Sequence, residues 1–267
     1  MSLFEKKEKL DSFFYRAFNL MSQAIFFFKF KLKRELKRNS CYKDLHKGQR
    51  CFILGAGPSL KTLTEEQQQF LKKEVTFGVN FLYKSDVLNI IHPTYYALFD
   101  NLFFSRYRFV FKKIAEKFPD TIFLTNQNGG KVVKEENIIN KTIKSYSKLY
   151  PIKNFAYDLT QNAHITFNVV SECIKTAMFL GFKEIYLLGA DYNAFAHPVE
   201  VHCYDDDKNK PLAQNRLGFL LKYYALTTNF HYIISKKASK KNISVINLTP
   251  NSLLDAYQKK NISDVLK

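Results

Sequence analysis

Short apolar runs recur along the chain, and each stops abruptly at glycine or a short polar residue. The first, at 51–54, breaks at Gly55, Ala56, Gly57, Pro58 and Ser59. An apolar run with no polar alternation is the signature of a strand buried on both faces of a parallel sheet. Further strands are predicted over 75–80, 95–100, 121–125, 184–190 and 244–248. Between them lie segments with helical periodicity. These are 60–72 with Ser59 as its cap, 103–118, 166–180 closing on Gly181, and 217–235. Residues 250–258 read as a turn leading into a helix. Residues 131–163, rich in Lys and Asn, carry no clear pattern and are expected to be irregular. The alternation of strand and helix predicts an α/β domain with a mostly parallel sheet flanked by helices. The polar stretch 193–212 is long enough to form a lid loop.

In open α/β sheets the ligand binds outside the carboxyl ends of the strands. At those ends the sequence sets Gly55, Ala56 and Gly57, then Asn80, Asp100 with Asn101, Asp191 with Tyr192, and Thr249 to Ser252 with Asn251 between. Glycines let a ligand approach the backbone, and their N–H groups suit an anionic group such as phosphate. Short polar side chains around them form a ring of donors and acceptors, as a nucleotide needs. The third glycine of the dinucleotide fingerprint is missing, and so is the Gly-Lys-Ser/Thr of a P-loop. The lid supplies His197, Glu200, His202, Tyr204 and Asp205 to Asp207 as candidate chemistry. A histidine near carboxylates suits general base catalysis, and a tyrosine can donate to a leaving phosphate. The aspartate triplet raises a metal reading, but a metal-binding pair should follow an apolar strand and this one sits in mid-loop. No metal site is therefore expected.

Charge changes the picture at the N-terminus. The 267 residues are 46% hydrophobic and carry a net charge of +17, which points to an acidic partner. Residues 1–50 hold 13 Lys/Arg against 5 Asp/Glu, a balance of +8, together with the densest aromatic run, Phe26 to Phe30. Residues 1–46 are therefore read as a basic amphipathic helical appendage and 47–267 as the catalytic domain. Basic residues interleaved with phenylalanine suit a helix lying on an anionic membrane surface, and packing on the domain or on a second copy is the alternative. The apolar stretch is too short to span a bilayer, and it lacks the cleavage site of a signal peptide. Four scattered cysteines without a Cys-x-x-Cys pair argue against zinc and against a disulfide framework, and point to a reducing cytoplasm. No RNA-binding aromatic motif accompanies the diffuse basic residues, so a nucleic-acid partner is not expected.

The motif Leu54 to Leu60, the strand ending in Asn80, the stretch Leu180 to Asp191 and the segment Pro250 to Leu254 resemble the bacterial sialyltransferases of glycosyltransferase family 42. They resemble equally the DUF115 / MptE-like proteins and the flagellin glycosyltransferases of the motility accessory factor type. The resemblance spans about 50–257. It implies a Rossmann-like (GT-A-like) domain, a CMP-linked nonulosonic acid such as sialic acid as donor, inversion at the anomeric carbon, a histidine base and no metal. It implies that the glycine motif, Asn80, Thr166 and Asn168 contact nucleotide or sugar. Asp191 and Tyr192 would close on the donor, and Asn251 and Ser252 would lie on the cytidine side.

The chain departs from the sialyltransferases at Ala56, where they have Asn. It departs again at Phe167 and Asn168, where they have Ser and Gly. Their Gly-His-Ser base context is absent, and His202 is its substitute. Tyr96 and its neighbours and the His-x-Tyr of the lid lean to the DUF115 side.

The expected activity is a metal-independent, cofactor-free glycosyltransferase at the cytoplasmic face of the cytoplasmic membrane. It would take a nucleotide-sugar donor and a glycan or glycolipid acceptor. His202 would act as base and Tyr192 or Tyr204 would serve the leaving phosphate; self-association is compatible with this reading. Two other readings stay open. One is an MptE-like 6-hydroxymethylpterin diphosphokinase using ATP and Mg²⁺ held by Asp100 and Asp191. The other is a non-catalytic, membrane-docked nucleotide-binding protein.

Overall fold

The computed structural model describes residues 2–138, 141–196, 202–204 and 216–266. Nine parallel strands form one sheet in the order β6-β5-β4-β3-β2-β1-β7-β8-β9. They are β1 (Arg50–Leu54), β2 (Thr76–Val79), β3 (Tyr95–Ala97), β4 (Ile122–Asn126), β5 (Thr142–Leu149), β6 (Asn162–His164), β7 (Glu184–Leu188), β8 (Ser244–Asn247) and β9 (Gln258–Lys259). From β1 the chain winds outward to β6, then returns to lay β7 against the other side of β1. The β1/β7 junction is therefore the topological switch point.

Strand residues alternate between two cores, which is why the runs are apolar throughout. Phe52 and Leu54 face one side with α3 (Glu65–Leu71), α4 (Val87–Ile90) and α5 (Phe109–Lys117). Cys51 and Ile53 face the other, with α7 (Val169–Leu180) and α8 (Leu217–Lys240). Cys51 and Cys173 are core residues, as their apolar context predicts. Gly181 ends α7 at φ +89, the left-handed conformation a helix C-terminus favours.

Several sequence expectations are corrected. The irregular reading of 131–163 misses α6 (Gly130–Glu135) and strands β5 and β6. Strand β5 is only partly buried and interleaves Lys and Ser, so it lacks the continuous apolar run of β1. The helix expected over 60–72 splits into a 3₁₀ turn, Pro58–Thr62, and α3. Thr64 caps α3 in a capping box with Gln67, so Ser59 is not the cap. The segment after β8 forms no helix; it turns and ends in β9. The polar loop after β7 lies largely outside the described residues, and with it His197, Glu200 and Asp205 to Asp207.

The appendage comprises α1 (Leu3–Phe27), α2 (Phe30–Lys37) and a 3₁₀ turn, Arg38–Tyr42. One stripe of α1 docks on the β5–β6 side of the sheet. Tyr15 stacks on Tyr150 at 4.6 Å and Phe26 on Tyr146 at 5.5 Å. The Asn19 amide both donates to Tyr150 O (2.9 Å) and accepts from Tyr150 N (2.7 Å), and Ser22 Oγ accepts from Asn162. Asn39 donates to Lys144 O and Leu159 O. The docking stripe is thus aromatic and polar. The face turned to solvent carries Phe13, Phe14, Leu20, Met21, Ile25, Phe27, Phe28 and Phe30. This reverses the usual sense of an amphipathic helix. Among the described residues no helix is long and apolar enough to cross a membrane.

Candidate active site

The glycine turn after β1 is shaped by β7. A Cβ on Gly55 would collide with Gly189 O, and one on Gly57 with the Asp191 carboxylate. Gly55 N donates to Leu188 O (2.7 Å) and Gly57 N to Gly189 O (2.9 Å). Asp191 accepts from Ser59 N at 3.2 Å and from Ser59 Oγ at 2.7 Å. The anion at this turn is the chain's own carboxylate. The missing side chains of Gly55 and Gly57 let β7 approach the turn.

Two cavities open on the carboxyl rim of the sheet. The smaller, about 190 Å³, lies at the switch point and is lined by Ala56, Gly57, Asn80, Asn168, Asp191, Tyr192, His202 and His231. The larger, about 520 Å³, lies over the ends of β2 to β6, with Asn80, Asp100, Asn101, Asn126, Ser145, Phe167, Asn168, Glu172 and Tyr223 on its walls. Asn80, Asn168 and Val169 belong to both, so the cavities adjoin. Asn168 caps α7 by accepting from Val170 N (2.9 Å) and Ser171 N (3.3 Å), which fixes its amide on the shared wall.

The rim is held in unusual backbone. Asn80, Phe167, Tyr192 and Asn251 all have positive φ, from 49° to 59°, and each follows a strand end. Side chains other than glycine, asparagine and aspartate rarely adopt this region, and such residues cluster at functional sites.

The sequence-proposed residues divide. Ala56, Gly57, Asn80, Asn168, Asp191, Tyr192 and His202 share the smaller cavity, and Asp100 and Asn101 line the larger. Gly55 is buried against Gly189, and Pro58 opens the 3₁₀ turn. Ser59 faces a third cavity with Leu248 and Asp264, and so does not join the ring. Thr166, Thr249 and Ser252 are buried and bonded internally. Thr166 Oγ1 donates to Glu172 (2.8 Å), Ala190 N donates to Thr249 Oγ1 (3.0 Å), and Ser252 Oγ donates to Ala190 O (2.6 Å). Thr249 and Ser252 brace the loop after β7, and Thr166 braces the start of α7, where ligand contact was expected. Asn251 is exposed at its turn and lines none of the three rim cavities.

From the lid, Cys203 N donates to Ala56 O (2.8 Å), which pins this segment over the glycine turn. His202 stacks on Tyr204 at 4.9 Å, and Tyr204 then sinks into the core beside Phe81. That burial corrects the view of Tyr204 as a lid tyrosine facing the donor. The Tyr192 hydroxyl bonds Thr227 and Thr228 on α8.

Four groups that sequence reasoning passed over stand at the site. His231 bridges Ser171 Oγ (2.9 Å from Nε2) and Tyr257 OH (2.8 Å from Nδ1), fully buried behind the smaller cavity. Burial pushes its pKa down to about 3. Glu172 and Lys175 form a buried ion pair at 2.6 Å, and Lys175 Nζ also donates to Ser147 Oγ and His164 O. Burial lowers the Lys175 pKa. The signal available was a Glu–Lys pair at i, i+3 inside an otherwise apolar helix. Ser145, on the unpatterned β5, offered none. His164 sits beside Lys175, and burial together with that ammonium lowers its pKa to about 4.

These features define a Rossmann-like α/β domain with adjoining clefts at the switch point of a parallel sheet. The sequence model of the family described as 6-hydroxymethylpterin diphosphokinase MptE-like matches residues 26–195, more than half of the chain, and the chain belongs to this family. No curated protein matches it in sequence. Among solved structures, the MAf glycosyltransferase from Magnetospirillum magneticum AMB-1 is similar with a TM-score of 0.51 at 16% identity. That match covers 86% of this chain and 38% of that one. The sialyltransferase CstII from Campylobacter jejuni, in complex with the substrate analogue cytidine-5′-monophosphate, gives 0.49 at 18% identity, covering 80% and 85%. The likeness to the Magnetospirillum enzyme is one of fold.

Two predictions follow from this geometry. Gly57→Ala forces a methyl group onto the Asp191 carboxylate and should destabilise the fold by about 1–3 kcal/mol, the usual cost of overpacking. Gly218→Ala meets nothing within 4 Å and should be neutral or slightly stabilising; urea midpoints of the two variants check this. The buried histidines contribute to the acid limb of stability. Both have folded pKa values below the unfolded 6.5, so the unfolded chain binds protons that the folded chain refuses. Their contribution is complete above pH 6.5 and declines as pH falls, by about 1.4 kcal/mol per pH unit for each histidine. The decline continues to about pH 4 for His164 and about pH 3 for His231. His231→Gln should flatten the fall between pH 6 and pH 4.5 by one proton's worth in denaturant titrations. An unchanged slope would refute this assignment.

Proposed function

We propose that the chain is a glycosyltransferase that moves a sugar from a nucleotide-activated donor to a glycan acceptor. The observation that carries the reading is the pair of adjoining cavities of unequal size that meet at Asn80 and Asn168, with His202 on the wall of the smaller. Group transfer between two substrates needs two subsites sharing a wall, with a proton acceptor beside the junction. In this reading His202 takes the proton of an acceptor hydroxyl, whose oxygen attacks the anomeric carbon. The bond from that carbon to the phosphate oxygen breaks with inversion, and the electron pair leaves with the nucleotide. Tyr192 shares the His202 wall and is the tyrosine we assign to the departing phosphate. A CMP-linked nonulosonic acid is the proposed donor, and no metal is required.

The diphosphokinase reading draws on the family description. It would need Asp100 and Asp191 around one Mg²⁺. They line separate cavities, and Asp191 is engaged by Ser59. Among the described residues no three His, Cys, Asp or Glu side chains gather as a metal-holding group.

Residues 47–267 are the proposed catalytic domain and 1–46 its anchor on the cytoplasmic face of the membrane. The outward apolar face of α1 and its continuation to Phe30 is flanked by Arg16, Lys29, Lys31, Lys33 and Arg34. Apolar burial combined with basic charge is what an anionic lipid surface binds.

Calorimetry separates the two chemical readings. Binding of CMP without added metal supports the transferase, and binding of Mg-ATP with indifference to CMP overturns it. Donor turnover in His202→Ala should fall by about 10²–10⁴ if the base is correctly assigned. Vesicle co-sedimentation tests the anchor. The full chain should bind phosphatidylserine-containing vesicles, and Phe14→Glu with Phe28→Glu should abolish binding. Dimerisation in light scattering without lipid binding would replace the membrane with a second copy.

A further inference from the structure

We propose that the larger cavity holds a neutral hexopyranose ring of the acceptor, with Phe167 as its stacking platform and Ser145 and Glu172 as its hydroxyl partners. The proposal rests on the transferase reading and names the substrate class of its wider subsite.

Phe167 is the first observation. It lies in the loop between β6 and α7 at φ 53°, a conformation a bulky side chain adopts only under constraint. The constraint is visible. Its ring packs against Tyr150 (5.9 Å) and Phe230 (6.1 Å), and its carbonyl accepts from the Tyr223 hydroxyl. Held this way, the ring is still 40% exposed and forms part of the cavity wall. An aromatic face fixed in a polar cleft is suited to the apolar face of a sugar ring.

The second observation is independent of the first. Ser145 Oγ, buried on the same cavity, lacks a hydrogen-bond partner, and Glu172 Oε2 on that cavity meets the Lys175 ammonium alone. Their residues are 3% and 6% exposed. Glu172 Oε1 accepts from Thr166, and Oε2 lies 2.6 Å from Lys175 Nζ. The Lys175 ammonium therefore faces Oε2, and a carboxylate oxygen has a second lone pair open to a further donor from the cavity. Buried polar groups are almost always satisfied, and unsatisfied ones on a cavity wall call for a ligand or water. A carboxylate oxygen paired with a lysine ammonium accepts hydrogen bonds. The ligand atom it meets must therefore donate, as a sugar hydroxyl does. A carboxylated ring would set its own charge against Glu172, with Asp100 on the same wall and exposed Lys148 the cation lining it among the described residues. The cavity thus selects a neutral ring, even where the donor sugar is acidic.

Saturation-transfer NMR on the full chain tests this, with methyl α-glucopyranoside, methyl α-mannopyranoside and N-acetylneuraminic acid as probes and CMP present or absent. Transfer to at least one neutral glycoside, and none to the carboxylated sugar at this cavity, is expected. Phe167→Ala should weaken that neutral binding roughly three- to tenfold, as loss of one aromatic contact does. Glu172→Gln strands Lys175 without its counter-ion and risks the fold. Ser145→Ala keeps the ion pair and should show a loss of the same sign. No transfer to either neutral glycoside, or binding indifferent to both Phe167→Ala and Ser145→Ala, overturns the proposal. So does a Phe167→Ala variant that loses CMP affinity instead, since the ring on Phe167 would then be a base. CMP binding measured on the same samples keeps the two readings apart: its survival without glycoside binding sinks this proposal alone.

Discussion

The close approach of β7 to the turn after β1 is the constraint on which the rim of this molecule depends. Two strands far apart in sequence meet at the centre of the sheet, and their exits cross within contact distance only because Gly55, Gly57 and Gly189 carry no side chains. The Asp191 carboxylate fills the space above Gly57 and ties the crossing to Ser59. Thr249 and Ser252 satisfy the backbone of Ala190 from the β8 side. Cys203 reaches across to Ala56. The glycine turn, the loop after β7, the turn after β8 and the segment at Cys203 are thus all referenced to one junction.

The same junction explains what was legible in the sequence and what was not. The central strands are buried on both faces, so their apolar runs announced them, and the glycines and Asp191 were visible as strand-end punctuation. Their partnership was not visible, because a glycine that admits a phosphate and a glycine that admits a neighbouring strand look identical in one dimension. Strands β5 and β6 escaped detection for a related reason. They lie towards the far edge of the sheet beneath α1, where one face is partly polar, so Lys144 and Ser145 hid a strand inside a segment that reads as loop. Strand β5 and the loop into α7 form one wall of the larger cavity, opposite the ends of β2 to β4. That wall of the cavity lay in the part of the chain with the weakest periodic signal.

The buried ion pair of α7 shows the limit from another direction. A helix that is apolar all round reads as core, and Glu172 and Lys175 interrupt it one turn apart. The pair survives burial because Thr166, Ser147 and His164 O supply polar partners, and three of these contacts come from strand β6 or the loops and strands at its side. Charge in a helix core is costly unless paired, and removing one partner costs more than the pair contributes. Its retention on a cavity wall is more readily understood as a feature of recognition than of stability.

The left-handed residues of the rim have a consequence for how such a protein can change over time. Asn80, Phe167, Tyr192 and Asn251 each occupy backbone space that glycine would fill with less strain. Selection for stability alone would replace them, and the loops would become more pliant as it did so. Loops held in this way arrive already shaped, so that a ligand entering the rim would not have to freeze them itself. Drift toward a sturdier molecule would thus loosen the rim while leaving the sheet beneath intact.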